Sequence, residues 1–508
     1  MAISRREWLR TSATAGWLVA AGHWNRVSCG EPLGDAGVRS LSPFLQGTFA
    51  PVKDEVTIDR LEIIGTLPRE LNGMFVRNGP NPQFAPKGNY HWFDGDGMLH
   101  GVRIADGRAS YRNRYVRTIG WQEEHAAGKA LYTGLADPLD FNRVVQGKGP
   151  FKNAANTALA WHDGRLLALW EGGEPYEIDV PELDTVGPYT FGGALRHPFT
   201  AHPKIDPQTG EMMFFGYSPL APQVHYTVAD ASGALVRTET IQLRKPVMMH
   251  DFAVTERYSL FMDLPATFAM APARKPGQPA GGIAMKFDRD MGARFGVLPR
   301  HAHGDEIRWF DANACFVFHT LGAYEAGDDV VLVACRMDDY PNMVQVGAPA
   351  QGGTENPLAS GPQGKLHRWR FNLATGGVKE ESLDDVGCDF PRFDERLMGR
   401  PMRFGYCMLL TMGGFVKYDL QTGTSQRHEF GSGRFGGEGV FIPRPSARSE
   451  DDGWLCTYIF DQNSNASELA LIDCRDFSAP PAARLVIPAR IPFGFHGLWL
   501  DGELLETG

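Results

Sequence analysis

The sequence predicts an all-β fold made of many short strands. The chain has 508 residues, and its 59 glycines and 35 prolines are scattered along it as turn residues. From about residue 55 onward, short β-rich runs alternate with Gly, Asn or Asp turns, for example in 162–171, 206–218 and 326–336. Hairpins at such close spacing are typical of a sandwich, a barrel or a propeller. Length favours the propeller, because roughly 450 residues exceed one sandwich but suit about seven blades of 60 to 70 residues.

Two segments depart from the hairpin rhythm. Residues 120–150 have a partly helical pattern, and residues 265–305 form a long insertion rich in Pro, Gly and Met. Long insertions on a rigid β scaffold are usually functional loops. We expect the second insertion to be a packed excursion, a lid over an apolar substrate channel or a patch that contacts a membrane. Its apolar residues are Phe268, Met270, Ile283, Met285, Phe287 and Met291.

Composition excludes several classes of protein. The net charge is −10, and no basic run follows the first residues, so the sequence predicts no nucleic-acid partner. The seven cysteines are widely spaced and contain no CxxC pair, which argues against a zinc knuckle or a dense disulfide framework. We expect most of them to be small buried apolar residues. Cys315 and Cys335 flank a predicted hairpin, and an oxidising compartment would allow them to pair.

The N-terminus resembles an export signal. Arg5 and Arg6 precede a mildly apolar stretch at 13–22, which is too short to span a bilayer. Paired arginines, a weakly hydrophobic stretch and then small residues are the order of a twin-arginine signal. The sequence therefore predicts an export signal in residues 1–30, a periplasmic location, and a single domain over 41–508.

Four histidines stand out by their surroundings: each lies beside small or aromatic residues at a predicted strand edge or turn. They are separated by 48, 69 and 177 residues, too far for one helix or a local zinc loop. Only a large fold that brings distant strands to one axis would make them converge. Four neutral imidazoles would hold a transition metal and leave it its full positive charge. The residues are His202, His250, His319 and His496.

The motifs around these histidines resemble those of the carotenoid cleavage oxygenase family. After FVRNGPNP at 75–82 and YHWFDGDGMLHG at 90–101, seven further segments follow in the family's order, among them TAHPKIDPQTG at 200–210 and, last, PFGFHGLW at 492–499. The likeness runs along nearly all of the chain after the signal. It implies a seven-bladed β-propeller with a dome of loops and helices. It also implies an axial Fe(II) ion bound by His202, His250, His319 and His496.

The same resemblance implies residues that support the metal ligands. Glu171, Glu438 and Asp389 fall at positions where the family's glutamates accept a hydrogen bond from the ring nitrogen that is not on the metal. Asp389 replaces the usual glutamate, and the missing methylene shortens its reach by about 1.5 Å. We therefore expect a water bridge or a backbone shift there. Thr157 matches a threonine beside the open face of the iron.

Trp170 bears on the substrate. Stilbene-cleaving relatives have a lysine at this position and a tyrosine upstream, which together activate a phenol. Tyr132 could occupy the tyrosine position, but the lysine is absent here. A polyene needs only an apolar slot and fits Trp170 better.

The expected function is oxidative cleavage of a carbon-carbon double bond in a carotenoid or apocarotenoid by O₂, which gives two carbonyl products. The expected partners are an apolar polyene and O₂, with peripheral membrane contact. Three alternatives remain open. They are a dioxygenase that cleaves stilbenes or phenylpropanoids, a retinoid isomerase or esterase on the same site, and a metal-free binding propeller.

Overall fold

The structure, a computed structural model, describes residues 42–88, 90–135, 151–270, 283–341, 358 and 361–506. The predicted export signal at 1–30 lies outside these residues. All but two of the described strands belong to seven antiparallel sheets, and the other two form a hairpin. The seven sheets are the blades of a β-propeller, and the predicted fold class is confirmed.

Blades 1 to 5 are each built from one continuous stretch of chain, with four strands in sequence order. The second strand of each of these blades is almost wholly buried, whereas the outer strand Leu235–Gln242 consists mainly of half-buried and exposed residues in alternation. The strands of blades 1 and 2 are Ala158–His162, Arg165–Leu169, Tyr176–Ile178 and Thr185–Pro188, then Lys204–Ile205, Met212–Ser218, Ala221–Ala229 and Leu235–Gln242. Those of blades 3 to 5 are Ala253–Val254, Tyr258–Asp263, Ala293–Pro299 and Arg308–Ala312, then Phe316–Ala326, Asp329–Met337, Lys365–Asn372 and Val378–Ser382, then Cys388–Arg392, Phe404–Leu409, Gly414–Asp419 and Thr424–Glu429.

Blades 6 and 7 combine strands from both ends of the chain, and this pairing closes the ring. The last strand, Gly497–Asp501, pairs with Gly73–Pro80 and places Val76 opposite Leu498. Blade 6 contains Arg434–Gly436, Val440–Pro443, Gly453–Asp461, Ala466–Asp473, Ala483–Ile487 and Glu62–Gly65. Blade 7 contains Gly497–Asp501, Gly73–Pro80, Gly97–Ala105, Arg108–Tyr115 and Thr57–Ile58.

The described residues contain one α-helix, α1 (Ile119–Ala127), where the sequence predicts partly helical structure. Thr118 caps its start by accepting a hydrogen bond from the Trp121 amide, and Gly128 ends it with a φ of 65°. Within the described part of the chain, no helix has the length and apolar character needed to span a membrane. The short 3₁₀ turns are Pro43–Leu45, Gly47–Phe49, Trp92–Asp94, Phe191–Gly193, Arg289–Met291, Gly304–Glu306, Glu395–Leu397 and Gly502–Leu505.

The predicted insertion at 265–305 is wrong in its extent. Ala266–Met270 pairs with Ile283–Phe287 as a hairpin, but Ala293–Pro299 returns to blade 3 and pairs with Tyr258–Asp263. The glycines and methionines of the segment obscured this strand, which has only seven residues. The insertion is therefore limited to 266–287, of which residues 271–282 lie outside the described part.

The cysteines do not pair as proposed. Cys315 and Cys335 are both free and fully buried, as are the other described cysteines. The Cys335 sulfur instead lies within 4.8 Å of the Cys388 and Cys407 sulfurs, between blades 4 and 5. These thiols pack against apolar side chains such as Phe393. Hydrogen bonding to the other two thiols and burial raise the pKa of Cys335, so its thiol form is favoured.

Candidate metal centre

The four predicted histidines meet on the axis of the propeller. His202, His250 and His496 each lie just before the first strand of a blade, and His319 lies within the first strand of blade 4. These strands come from blades 2, 3, 7 and 4. Each histidine contributes one ring nitrogen, and these four nitrogens all lie within 4.8 Å of one another. The propeller thus joins residues that are up to 294 positions apart in the sequence.

The ring nitrogens that face the axis are the Nε2 atoms. His202 Nε2 and His250 Nε2 are 3.0 Å apart, and the buried His319 Nε2 has no hydrogen-bond partner among the described residues. A buried imidazole nitrogen without a partner is costly unless a ligand satisfies it. Four convergent neutral imidazoles with one such atom fit a transition-metal ion.

Three carboxylates hold the opposite nitrogens. His250 Nδ1 donates to Glu171 at 2.6 Å, His319 Nδ1 to Asp389 at 2.8 Å and His496 Nδ1 to Glu438 at 2.8 Å. With the proton fixed on Nδ1, the lone pair of each Nε2 points to the axis. The structure therefore places Glu171, Asp389 and Glu438 where the sequence analysis expected carboxylates.

Asp389 reaches its histidine directly, so of the two expected arrangements the water bridge is wrong and the backbone shift agrees with the structure. The strand Cys388–Arg392 has a register shift between Asp389 and Arg392, and Phe390 has a φ of 51°. A non-glycine residue with positive φ is uncommon and bends the chain sharply. This local distortion accompanies the shorter side chain, which lies 2.8 Å from His319.

Residues that the sequence analysis missed fix the carboxylates in turn. The Tyr217 hydroxyl donates to Glu171 at 2.8 Å, and Arg392 Nη1 donates to Glu438 at 3.2 Å. The Gly497 amide also donates to Glu438, at 2.8 Å. The only sequence signal was that Arg392 lies three residues after Asp389 in the same motif.

The pKa shifts of His202, His250 and Glu438 agree with a cation site, whereas burial raises the pKa of Glu171. Burial lowers the pKa of His202 and of His250, and the neighbouring histidines lower both further. Burial would raise the pKa of Glu438, but Arg392 and His496 hold it at about 2, so this carboxylate stays ionised. Burial also opposes the charged form of His319, yet Asp389, Asp251 and Glu438 together outweigh it and the net pKa is raised. The charge of Asp389 would equally favour a bound cation.

An apolar cavity opens on one side of the histidines and reaches His250, His319 and His496. Thr157 lies on its wall, and the Thr157 hydroxyl donates to Asn156 at 3.0 Å. Trp170 is buried in the same wall. The apolar residues that line the cavity include Trp92, Phe93, Leu135, Phe318, Met337, Leu410 and Phe495.

Tyr132 lies outside this apolar cavity. It lines a neighbouring one, and the Tyr132 hydroxyl donates to Glu123 at 3.0 Å. Trp170 borders both cavities. No lysine, arginine or tyrosine is among the described residues that line the apolar cavity. The pair that activates a phenol in the stilbene-cleaving pattern is therefore absent from the described lining of this cavity.

Fold and site together define a β-propeller protein with a buried four-histidine centre at the end of an apolar cavity. Its sequence matches the family described as retinal pigment epithelial membrane protein over residues 49–501. The chain belongs to this family, which includes the carotenoid cleavage oxygenases.

Several known proteins are similar along most of their length. Carotenoid 9,10(9',10')-cleavage dioxygenase 1 of Arabidopsis thaliana is 39% identical over 91% of this chain and 90% of its own. A solved lignostilbene dioxygenase of Pseudomonas brassicacearum is 30% identical, with a TM-score of 0.79, over 91% of this chain and 99% of its own. A solved cobalt-substituted apocarotenoid oxygenase of Synechocystis is 30% identical, with a TM-score of 0.77, over 89% and 97%. These relatives support a dioxygenase enzyme.

Proposed function

We propose that the protein is a non-haem Fe(II) dioxygenase that cleaves one double bond of a carotenoid or apocarotenoid. O₂ and the alkene are consumed together, the carbon-carbon double bond breaks, and each carbon receives one oxygen atom as a carbonyl. The main support is the apolar cavity that ends on the four-histidine centre. The relatives named as carotenoid cleavage dioxygenases agree with it, and the family is iron-dependent.

The residues of the chain have separate tasks in this proposal. His202, His250, His319 and His496 would hold the ion through Nε2, while Glu171, Asp389 and Glu438 keep the proton of three rings on Nδ1. When bound, Fe(II) supplies the activation of dioxygen. The protein supplies an apolar cavity wall in which Thr157 and Trp170 lie beside the centre. This wall positions the alkene and excludes water.

The cavity lining favours a polyene over a phenol. A polyene gains free energy simply by burying its apolar surface, at roughly 25 cal/mol per Å². A hydroxystilbene would bury a phenol against a described lining that holds no lysine and no tyrosine to activate it. A solved lignostilbene dioxygenase has the same fold, so polyenes and hydroxystilbenes must both be tested as substrates.

The metal is tested first. The apoprotein, reconstituted with Fe(II) without oxygen and desalted, should retain close to one ion per chain. His250→Ala should retain far less, whereas His301→Ala, an exposed histidine away from the centre, should match the wild type. Iron far below stoichiometric in the wild type would contradict the proposal and favour a metal-free binding propeller.

The substrate is tested next with a panel of apocarotenals and hydroxystilbenes under ¹⁸O₂. We expect shorter aldehydes from the apocarotenals, with ¹⁸O in the new carbonyls. Turnover of the hydroxystilbenes alone would overturn the assignment to polyenes. A product that forms without O₂ would instead indicate the isomerase or esterase.

We also propose export through the twin-arginine route. This route carries proteins that are already folded, which would allow the metal to bind before transport. Replacing Arg5 and Arg6 by lysine should retain the protein in the cytoplasm, as measured by cell fractionation. An unchanged periplasmic fraction would contradict this proposal.

A further inference from the structure

A second cavity also reaches the four-histidine centre, and most of its lining differs from that of the apolar cavity. We call it the axial cavity. It contacts His202, which the apolar cavity does not, and it shares His319 and His496 with the apolar cavity. At its outer end it is lined by Glu395 and Arg396, whose side chains are 57% and 54% exposed. The axial cavity therefore runs from the solvent to the histidines.

The walls of the axial cavity are charged, but the charges are paired. Lys204 Nζ lies 2.7 Å from Asp251, and Thr320 donates to the other oxygen of Asp251 through its amide and hydroxyl, both at 2.8 Å. Arg392 lies 2.7 Å from Glu395 and 3.2 Å from Glu438. An ion that passes these pairs meets many polar atoms but little net charge.

The two cavities suit different solutes. A divalent cation carries a tightly held hydration shell, and moving a charge into apolar surroundings costs several kcal/mol even after relaxation. Among the described residues that line the apolar cavity, only Thr157 and the groups of the centre itself offer polar side chains to replace that water. The axial cavity offers the carboxylates of Asp251, Glu395 and Glu438 and the hydroxyl of Thr320. A polyene, which is apolar, should instead prefer the apolar cavity.

We propose that the axial cavity is the route by which the divalent metal ion enters and leaves the centre, while the apolar cavity serves the organic substrate. The inference rests on the proposed function, because it requires the histidines to bind a metal. It adds a role for residues of blades 1, 2, 5 and 7 that do not touch the ion. Metal exchange and substrate access would then be separately controlled.

Leu159 is the best position at which to narrow the axial cavity. It lies in the strand Ala158–His162, where Leu159 and Trp161 are half-buried while their neighbours are buried. Both residues line the axial cavity. Leu159→Trp therefore adds bulk inside the cavity without removing a polar group.

The probe is Co(II), added without oxygen to the apoprotein in a stopped-flow instrument and followed by its visible absorption. We expect Leu159→Trp to slow uptake by at least about tenfold while still binding one ion per chain. The control is Leu410→Trp, which narrows the apolar cavity. This control should slow substrate turnover and take up Co(II) at the wild-type rate.

The outcomes separate the two proposals. If the wild-type apoprotein binds no Co(II), both the metal centre and its route are wrong. If the wild type binds Co(II) but Leu159→Trp takes it up equally fast, or Leu410→Trp is the slower variant, only the route is wrong. Circular dichroism checks the fold. Met398 also lines the axial cavity. Should Leu159→Trp fail to fold, the rate of Co(II) uptake by Met398→Trp is compared with that of the wild type and of Leu410→Trp instead.

Discussion

Asp389 is the residue on which the centre differs from the family's usual pattern. It accepts the Nδ1 proton of His319 at 2.8 Å although its side chain is one methylene short. Asp389→Ala should weaken metal affinity by about 10 to 100-fold, since the His319 ring would lose its orientation and part of its basicity. Competition with a chelator of known affinity measures this change.

A matched control for Asp389 lies in the same blade. Asp419 pairs with Arg403 at the surface, 2.7 Å apart, and has no contact with the histidines. Asp419→Ala should keep wild-type affinity. If Asp389→Ala binds metal as tightly as Asp419→Ala does, the carboxylate behind His319 has no part in holding the ion.

The sequence predicts which residues surround the centre but not how each is held. The histidines and carboxylates lie in short motifs whose order is visible along the chain. The contact of Asp389 depends on a register shift and a positive φ at Phe390, which no local pattern reveals. Tyr217 and Arg392 were missed because each binds a carboxylate 46 residues away, on an adjoining part of the fold.

At the scale of elements, helix α1 anchors the segment that leads to the apolar cavity. The buried Glu124 accepts hydrogen bonds from the amides of Leu131 and Tyr132, at 2.7 and 3.1 Å. It also accepts one from Lys152 at 2.8 Å. A few residues later, Leu135 lines the cavity itself. One carboxylate thus ties the helix to the cavity wall.

Glu124→Ala should therefore lower the free energy of unfolding by about 1 to 3 kcal/mol, because two amides and a buried ammonium lose a partner. It should also raise the KM for an apocarotenal, since the wall that carries Leu135 loses its anchor. Denaturant titration and steady-state kinetics measure the two effects. Gln122→Ala, an exposed residue of the same helix, serves as the control. Equal KM values in both variants would show that the helix does not position the wall.

Elements with a regular sequence pattern or a clear turn signal were easier to predict than those interrupted by glycine. Helix α1 was expected from 120–150, and the hairpins of blades 1, 2 and 4 from their turns. The strand Ala293–Pro299 was not separated from the insertion, because Gly296 and the flanking prolines and glycines resemble a loop. In blade 3, Gly296 lies under Trp309, where an added Cβ would come within 2.8 Å of the ring. Gly296 therefore allows close packing against Trp309, and this role is visible only once the strand is seen in its sheet.

At the scale of the whole molecule, the ring depends on a pairing between the two ends of the chain. Length favoured about seven blades, but the sequence could not show that Gly497–Asp501 joins Gly73–Pro80, since no local rule links strands more than 400 residues apart. His496 directly precedes this closing strand. Closure of the propeller and assembly of the metal centre are therefore one structural event.

This coupling predicts the effect of Leu500→Ala. Leu500 is fully buried in the closing strand opposite Met74, so the cavity left by truncation should cost about 2 to 5 kcal/mol of unfolding free energy. Leu220→Ala, at a residue that is 50% exposed, should change it by less than about 0.5 kcal/mol. An ion held by all four histidines would bind only the closed ring, so saturating Co(II) should raise the unfolding midpoint of Leu500→Ala. An unfolding midpoint that does not change with Co(II) would show that metal binding and closure of the ring are independent.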